Sequence, residues 1–442
     1  MLIQPFLTDL DTRAAIKGSR DPLGVQSIWS RFGRQVVGNL TTVSNSVRDF
    51  SVLLLGYHFL ERVADEGGTE HDVATFLKWE QLAAYARAHV NKEKGFRGND
   101  RVWARIQNQS HVRIGGTSAC QILGNQKIYG LWGLYSVPAK ASGLLDGDPP
   151  RLTPPARQIV EQIYLPVLAE FGLRDGRAIV DRLRSTECVI DLRERSKDEP
   201  VLTAVGRILA RLRVRERDLY REHLLYGGPN DANSARGTAG LQRIFADLLS
   251  ETAQGREWRV SPGSVRDLAR RARRHGSMGE SLAARLERIR TCEMLIAPAV
   301  ALFEYALQCD GQSTVKIANG VRQHWGNTQR QTIDLDATES LEREMRTSTS
   351  DVESGARWVR LAHAFRDGRY EEALQVVLEQ NAMVMKARSG AAPWAVVSDE
   401  KLCVRFRDEQ SSDLPAADEL AEYWRHAYFI ESLRQVALTL RG

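Results

Sequence analysis

The stretch from Tyr129 to Ile163, YGLWGLYSVPAKASGLLDGDPPRLTPPARQIVEQI, constrains the fold more than any other segment of this chain. Its first part predicts a helix that carries Leu131 and Tyr135 on one side. A Gly/Pro-rich tip flanked by leucines follows and predicts a short two-stranded turn. The two prolines after Thr153 predict the start of another helix, because proline is well tolerated in a first helical turn.

This order of elements is that of a winged helix-turn-helix, and the phrase LTPPAR resembles the strand-to-helix step of winged-helix repressors. Such a module places a recognition helix in the major groove and holds phosphates with flanking basic groups. Here Lys140 lies on the candidate helix, and Arg151 and Arg157 lie on the wing. We expect these three cations to help orient double-stranded DNA. Three cations are few for an independent DNA reader, so a dimerisation or assembly module is the alternative.

The rest of the chain predicts a mainly α, multidomain protein, because 442 residues exceed one ordinary core and apolar residues recur at helical spacing. We predict an N-terminal helical domain (1–98), a winged-helix-like domain (99–170), an arginine-rich helical domain (171–310) and a C-terminal helical domain (311–442). In the last domain, PWAVVSDEKLCVRFRDE alternates apolar and polar residues around SDEK and predicts a β-hairpin.

Three further helices are predicted in detail. DVATFLKWEQLAAYARAHVN has the spacing of a strongly amphipathic helix. NDRVWARIQNQ predicts a helix capped by Asn99 or Asp100. ADELAEYWRHAYFIESLRQVALTL predicts a final amphipathic helix with many aromatic residues, which would pack across another domain or a partner chain.

The positive charge of the chain is concentrated in one window. The whole chain carries +5, but residues 256–290 hold ten arginines and four acids, so the remainder sums to about −1. A concentrated positive field steers anions toward that surface. Within the window, SPGSVRDLARRARRHGSMGE predicts a helix capped by Ser261 or Ser264.

The arginines of that helix are the main candidate for binding nucleic acid. Four of them, Arg266, Arg270, Arg273 and Arg274, fall on nearly one helical face, and Arg271 lies beside them. Guanidinium groups suit phosphate oxygens, and each neutralised phosphate releases counterions. The alternative is a solvated basic face paired with acids of neighbouring helices.

No motif of a known catalytic chemistry is found. The chain has no GxxxxGK[ST], GxGxxG or GxSxG sequence, and its five scattered cysteines predict reduced thiols. We predict no metal site and no cofactor, since the histidines lack ligand spacing and His58 reads as a core residue. Asp399–Glu400–Lys401 is the nearest match to a nuclease motif, but it lies at the predicted hairpin turn. RIGGTSACQILGNQ could hold a small anion, or it is a structural turn.

The sequence predicts a cytoplasmic protein. The first residues lack the charged start and apolar core of a signal peptide, and the longest apolar run, SVLLLGYHFL, is far shorter than the ~20 residues of a membrane helix. We therefore expect no contact with a membrane.

Four segments, GSRDPLGVQSIWSRFG, YGLWGLYSVPAKASGLL, APWAVVSDEKLCVRF and YWRHAYFIESL, resemble uncharacterised proteins of bacterial antiphage defence clusters. The resemblance implies a role in handling foreign DNA beside other subunits of a complex. It supports a DNA-binding or adaptor subunit of a defence or restriction-type system that is not itself an enzyme. The alternatives are a cryptic metal-dependent nuclease or base-acting enzyme, and a protein-binding scaffold that makes no nucleic-acid contact.

Overall fold

The computed structural model describes residues 21–67, 72–174, 176–229, 240–255, 257–348, 351–388, 390–406 and 413–441. These residues are mainly helical with a few small antiparallel strand pairs, which confirms the mainly α prediction. They form two compact units. The central unit comprises the described parts of residues 37–254 and 431–442, and the arginine unit comprises those of residues 1–36 and 255–430. The domain boundaries predicted at residues 98, 170 and 310 fall inside these units.

The first elements in chain order are α1 (Val25–Arg34), α2 (Val47–Asp65), α3 (Val73–His89), α4 (Asn99–Asn108), β1 (His111–Gly115), α5 (Gln126–Tyr129), α6 (Leu131–Ala141), β2 (Leu145–Asp146), β3 (Arg151–Leu152), α7 (Pro154–Ile159), α8 (Leu165–Glu170), α9 (Arg177–Arg184), β4 (Glu187–Asp191), α10 (Glu199–Ala210), α11 (Val214–Tyr220) and α12 (Leu241–Thr252). The later elements are α13 (Pro262–Ala272), α14 (Gly276–Gln308), α15 (Thr314–Trp325), α16 (Gln329–Thr332), α17 (Leu335–Ser340), α18 (Ser354–Arg366), α19 (Tyr370–Ala387), β5 (Ala395–Ser398), β6 (Lys401–Val404) and α20 (Ile430–Arg441).

Helix α3 is the centre of the central unit. It packs against α2, α4, α10 and β1, and every residue from 75 to 88 is buried. The prediction of an amphipathic helix is therefore wrong. Its polar side chains are compatible with burial because they have internal partners: Lys78 Nζ donates to Ser185 O at 2.7 Å, and Arg87 Nη1 donates to Asp49 Oδ1 at 2.7 Å.

The helix, hairpin and helix predicted from Tyr129 onward are present as α6, β2–β3 and α7. Strands β2 and β3 pair antiparallel, with Leu145 opposite Leu152. Thr153 precedes α7 as predicted, but its hydroxyl donates to Gly143 O at 2.9 Å rather than capping the helix. Strand β1 pairs with β4 and not with the hairpin, so β2–β3 is a two-stranded sheet.

The start of α4 differs from its prediction. The residue before the helix is Gly98, whose φ of 79° is left-handed, and neither Asn99 nor Asp100 is the cap. A Cβ at position 98 would approach Ile122 O to 2.9 Å, so glycine meets both a conformational and a steric requirement.

The hairpin predicted in the C-terminal region is confirmed in the arginine unit. Strands β5 and β6 pair antiparallel, with Ser398 opposite Lys401. The two turn residues, Asp399 and Glu400, have φ values of 50° and 61° and are exposed. This arrangement agrees with the tight turn that the alternation around SDEK predicts, and it leaves the carboxylates of the turn in solvent.

The prediction of a long final helix is only partly correct. Helix α20 begins at Ile430, and the preceding residues form a short 3-10 turn at Leu420–Glu422 and irregular backbone. The helix does not extend further back because Tyr428 and Phe429 have φ values of 42° and 62°. The buried carboxylate of Glu293 stabilises this segment, accepting bonds from Tyr428 OH at 2.9 Å and from the His426 backbone N–H at 2.9 Å.

Candidate nucleic-acid interface

Helix α13 begins with the cap that its sequence predicts. Ser261 Oγ accepts a hydrogen bond from the Ser264 N–H at 3.2 Å, and Ser264 Oγ accepts one from the Ser261 N–H at 2.8 Å. Pro262 follows in the first turn. The helix packs against α14 through Val265, Leu268 and other apolar residues, so its arginines lie on the opposite face.

We define the arginine cluster as five residues on α13 and on the turn that follows it: Arg266, Arg270, Arg271, Arg273 and Arg274. Four of them are exposed, and Arg271 is half-buried. The predicted single helical face is not continuous, because α13 ends at Ala272 and residues 273–275 form a 3-10 turn. Cations near the carboxyl end of a helix also face the negative end of its dipole, which favours them there.

Two carboxylates partly balance the cluster. Asp267 accepts hydrogen bonds from Arg271 Nε at 2.8 Å and from Arg270, and Glu280 lies 3.8 Å from Arg273 Nε. The hydrogen bond from Arg271, with a further contribution from Arg270, lowers the pKa of Asp267. Five guanidinium groups against two carboxylates leave this surface with a net charge of +3.

Arg266 and Arg274 are the open members of the cluster. Within the described part of the chain, neither forms an ion pair or a side-chain hydrogen bond. Another nearby acid, Glu422, is bound at the opposite end of α13, where it accepts bonds from Ser261 Oγ at 2.6 Å and from the Gly263 N–H at 3.1 Å. The prediction of an exposed basic surface agrees with these contacts. The alternative, pairing with acids of neighbouring helices, holds only for Arg273, because Asp267 lies on α13 itself.

The cations predicted in the winged-helix-like segment lie in the central unit, whereas the arginine cluster lies in the arginine unit. Arg157 Nη2 pairs with Glu61 Oε2 at 2.7 Å, so its charge is balanced by an acid far away in sequence. Arg151 is exposed on β3, and Lys140 is half-buried in the last turn of α6. The Arg157–Glu61 pair could not be predicted from the sequence because the two residues lie 96 positions apart.

The exposed surface around α5 and α6 is largely apolar, although Lys127 is also exposed. Ile128, Tyr129 and Val137 are 53 %, 59 % and 68 % exposed. A helix that reads bases needs polar or basic side chains toward the groove. Exposed apolar residues in one region more often mark contact with another protein.

Several charged residues that the sequence did not single out lie around a cavity of the central unit. Arg97 and Arg101 line it, next to the N-terminus of α4. The sequence feature that could have indicated these residues is the segment GFRGND, in which two glycines flank an arginine immediately before a helix. Such a segment resembles many surface turns, so it predicts a site only once the surrounding walls are known.

Among the residues that the structure describes, no group of three or more His, Cys, Asp or Glu side chains could hold a metal ion. His58 is buried in the core as predicted, and burial together with nearby Arg62 and Arg157 lowers its pKa to about 4. Its Nε2 has no hydrogen-bond partner in the described ranges, so it is not the satisfied core histidine that we expected.

The five cysteines are free thiols, of which Cys403 is exposed. None of the helices within the described ranges is both long and apolar enough to cross a membrane. The chain matches no protein-family model, no curated protein and no solved structure.

Proposed function

We propose that this chain is a DNA-binding subunit that holds the backbone of duplex DNA with its arginine cluster. The observation that carries the proposal is a surface of α13 and its following turn with four exposed arginines and the half-buried Arg271, against only two carboxylates. Guanidinium forks match the geometry of phosphate oxygens, and the released counterions favour binding at low salt.

The existing ion pairs of the cluster do not prevent this role. Exposed pairs such as Arg270–Asp267 contribute only about 0.2–1 kcal/mol, so phosphates can replace the carboxylates at little cost. Contacts to the backbone carry no direct sequence information, so we expect binding with little preference for sequence.

We further propose that α6, the β2–β3 hairpin and α7 form a winged-helix-like module that serves mainly in assembly. The exposed Ile128, Tyr129 and Val137 favour a protein contact there, while Lys140 and Arg151 would add at most a minor contact to DNA. The resemblance of four segments to proteins of antiphage defence clusters is the reason for proposing that the partner is another subunit of a defence or restriction-type complex.

The proposal is tested by an electrophoretic mobility-shift titration of a short duplex at low salt. The test variant is Arg266→Ala/Arg274→Ala, which removes the two open guanidinium groups. The matched control, Arg360→Ala/Arg369→Ala, removes the same charge from exposed arginines of the same unit that pair with Glu379 and Asp367. We expect the test variant to shift the duplex weakly and the control to bind like the parent protein. Equal binding by all three proteins, or no binding by the parent, would contradict the proposal.

A further inference from the structure

A cavity of about 550 Å³ lies in the central unit and is separate from the residues of the arginine cluster. Three segments line it: residues 43–49 at the start of α2, residues 95–101 at the start of α4, and residues 122–124. Tyr135 of α6 contributes the remaining wall. The volume lies within the range of about 300–1,000 Å³ that is typical of small-molecule sites.

The acid in the inner wall of the cavity is already neutralised. Asp49 is buried, and its Oδ1 accepts a hydrogen bond from Arg87 Nη1 at 2.7 Å. Arg87 also pairs with Glu93, which lies 3.4 Å from Arg48, so two arginines balance these two carboxylates. Tyr135 OH lies 3.3 Å from Asp49 Oδ2 and also donates to Val43 O at 3.0 Å. This part of the wall needs no ligand, and the charge of Asp49 is directed toward Arg87.

Two arginines at the rim give the cavity an unbalanced positive charge. Arg97 is half-buried and forms neither an ion pair nor a hydrogen bond with the rest of the described chain, although its charge acts on the buried carboxyl of Glu80. Arg101 donates to Gln121 O at 3.1 Å, a neutral partner that leaves its charge uncompensated. The one other acid among the lining residues is Asp100, so the rim carries a net charge of +1.

The N-termini of two helices meet at the same cavity. Helix α2 starts after Ser46 and α4 starts after Gly98, and neither preceding residue caps its helix with a side chain. The first backbone N–H groups of a helix lack partners within the helix and carry partial positive charge, which suits an anion. These two termini add to the charge of Arg97, and Arg97 is the independent feature that points to an anionic ligand.

One wall group also lacks a hydrogen-bond donor. Asn99 Oδ1 is fully enclosed and accepts no hydrogen bond in the described ranges, while its Nδ2 donates to Asp100 Oδ1 at 3.2 Å. A buried acceptor without a donor is unfavourable.

We propose that this cavity binds a small organic phosphate, with the phosphate group held by Arg97, Arg101 and the first turns of α2 and α4. The cavity is larger than a phosphate ion requires, so the ligand carries an organic part of about the size of a nucleoside. Residues 122–124 of the wall belong to RIGGTSACQILGNQ, the stretch whose composition suits a small anion.

Isothermal titration calorimetry of the full chain tests the proposal, with adenosine 5′-monophosphate and inorganic phosphate as ligands and adenosine as the uncharged comparison. The first variant, Arg97→Gln, removes the unpaired charge. The second, Gly124→Leu, fills the cavity at a position where an added Cβ meets nothing within 4 Å. The control, Arg221→Gln, removes an arginine of the same unit that pairs with Asp218 at 2.8 Å.

We expect both phosphates to bind the parent protein and adenosine to bind much more weakly. Arg97→Gln should weaken both phosphates by about tenfold or more, because a hydrogen bond to a charged group is lost. Gly124→Leu should abolish binding of the nucleotide, and Arg221→Gln should change nothing. Circular dichroism melting curves verify that each variant is folded.

Two results would overturn the proposal. One is the absence of binding by either phosphate to the parent protein. The other is an affinity of folded Arg97→Gln equal to that of the parent. The Arg266→Ala/Arg274→Ala variant should bind both phosphates normally, so failure of this proposal and failure of the proposed DNA binding are distinguishable.

Discussion

Replacing Arg266 and Arg274 with alanine should reduce the salt dependence of DNA binding by a calculable amount. These are the two guanidinium groups of the arginine cluster without a carboxylate partner in the described chain. Each phosphate that a protein neutralises adds about 0.9 to the slope of log affinity against log salt for duplex DNA. Losing two contacts should therefore make the slope shallower by about 1.8.

The slope translates into a difference in affinity that is easy to measure. Between about 50 and 200 mM salt, each contact weakens binding by roughly 3.5-fold, so two contacts account for roughly 12-fold. If all five cluster arginines contact phosphates, the parent slope is about −4.5 and that of the double variant about −2.7. If only the two open arginines do so, the parent slope is about −1.8 and the variant is nearly insensitive to salt.

Fluorescence anisotropy of a labelled duplex, titrated at four or five salt concentrations, gives both slopes. The Arg360→Ala/Arg369→Ala protein should retain the parent slope, because those arginines already face Glu379 and Asp367. Identical slopes for the parent and the Arg266→Ala/Arg274→Ala protein would show that Arg266 and Arg274 do not contact the backbone. The argument from exposed charge would then be refuted, even if DNA binds elsewhere.

Three further predictions concern stability, measured by urea unfolding. Glu293→Gln should lower the unfolding free energy by about 3–5 kcal/mol near neutral pH, because the fully buried carboxylate accepts hydrogen bonds from His426 and Tyr428. The control, Glu379→Gln at an exposed position, should lower it by well under about 1 kcal/mol. Burial raises the pKa of Glu80 to about 7, so this group should reduce stability as the pH rises from about 4.5 to 7, and Glu80→Gln should flatten that decline. Gly98→Ala should cost about 1–3 kcal/mol through strain, whereas Gly124→Ala, in the same cavity wall, should be nearly neutral. An unchanged unfolding midpoint for Glu293→Gln would contradict the first prediction. A pH profile of Glu80→Gln like that of the parent would contradict the second, and equal midpoints for the two glycine variants would contradict the third.

The pKa of Glu293 provides an additional check on the first of these. Its hydrogen bonds and the nearby His426 imidazole outweigh burial and hold the pKa of Glu293 below its ordinary value. A carboxyl with a lowered pKa in the folded state stabilises the fold above its unfolded-state pKa and loses that contribution as the pH falls. The difference in stability between the parent and Glu293→Gln should therefore shrink on acidification below about pH 4.5.

Local features were predictable from the sequence because their causes lie within a few residues. The alternation around SDEK requires only neighbouring residues, and the cap of α13 requires only Ser261 and Ser264. The prolines after Thr153 start α7 for the same reason. The concentration of arginine near α13 is likewise a property of the sequence alone.

Features that depend on residues distant in sequence were decided by the tertiary structure. Glu61 pairs with Arg157, a candidate DNA contact, and balances its charge. Glu293 supports a left-handed backbone at Tyr428 and so shortens the final helix, although the local pattern favours a longer one. Helix α3 is buried on all sides because its polar side chains find partners elsewhere in the central unit.

The cavity likewise combines features that the sequence predicts with features that only the tertiary structure decides. The sequence of GFRGND allows a left-handed glycine and a charged arginine before α4, but it does not say what stands opposite them. Three separate segments had to fold together before Arg97 lay at the rim of an open cavity. The positions of charged residues and the local backbone conformation follow from the sequence. The walls of a cavity and the ion pairs of its charged residues depend on which distant groups the fold brings together.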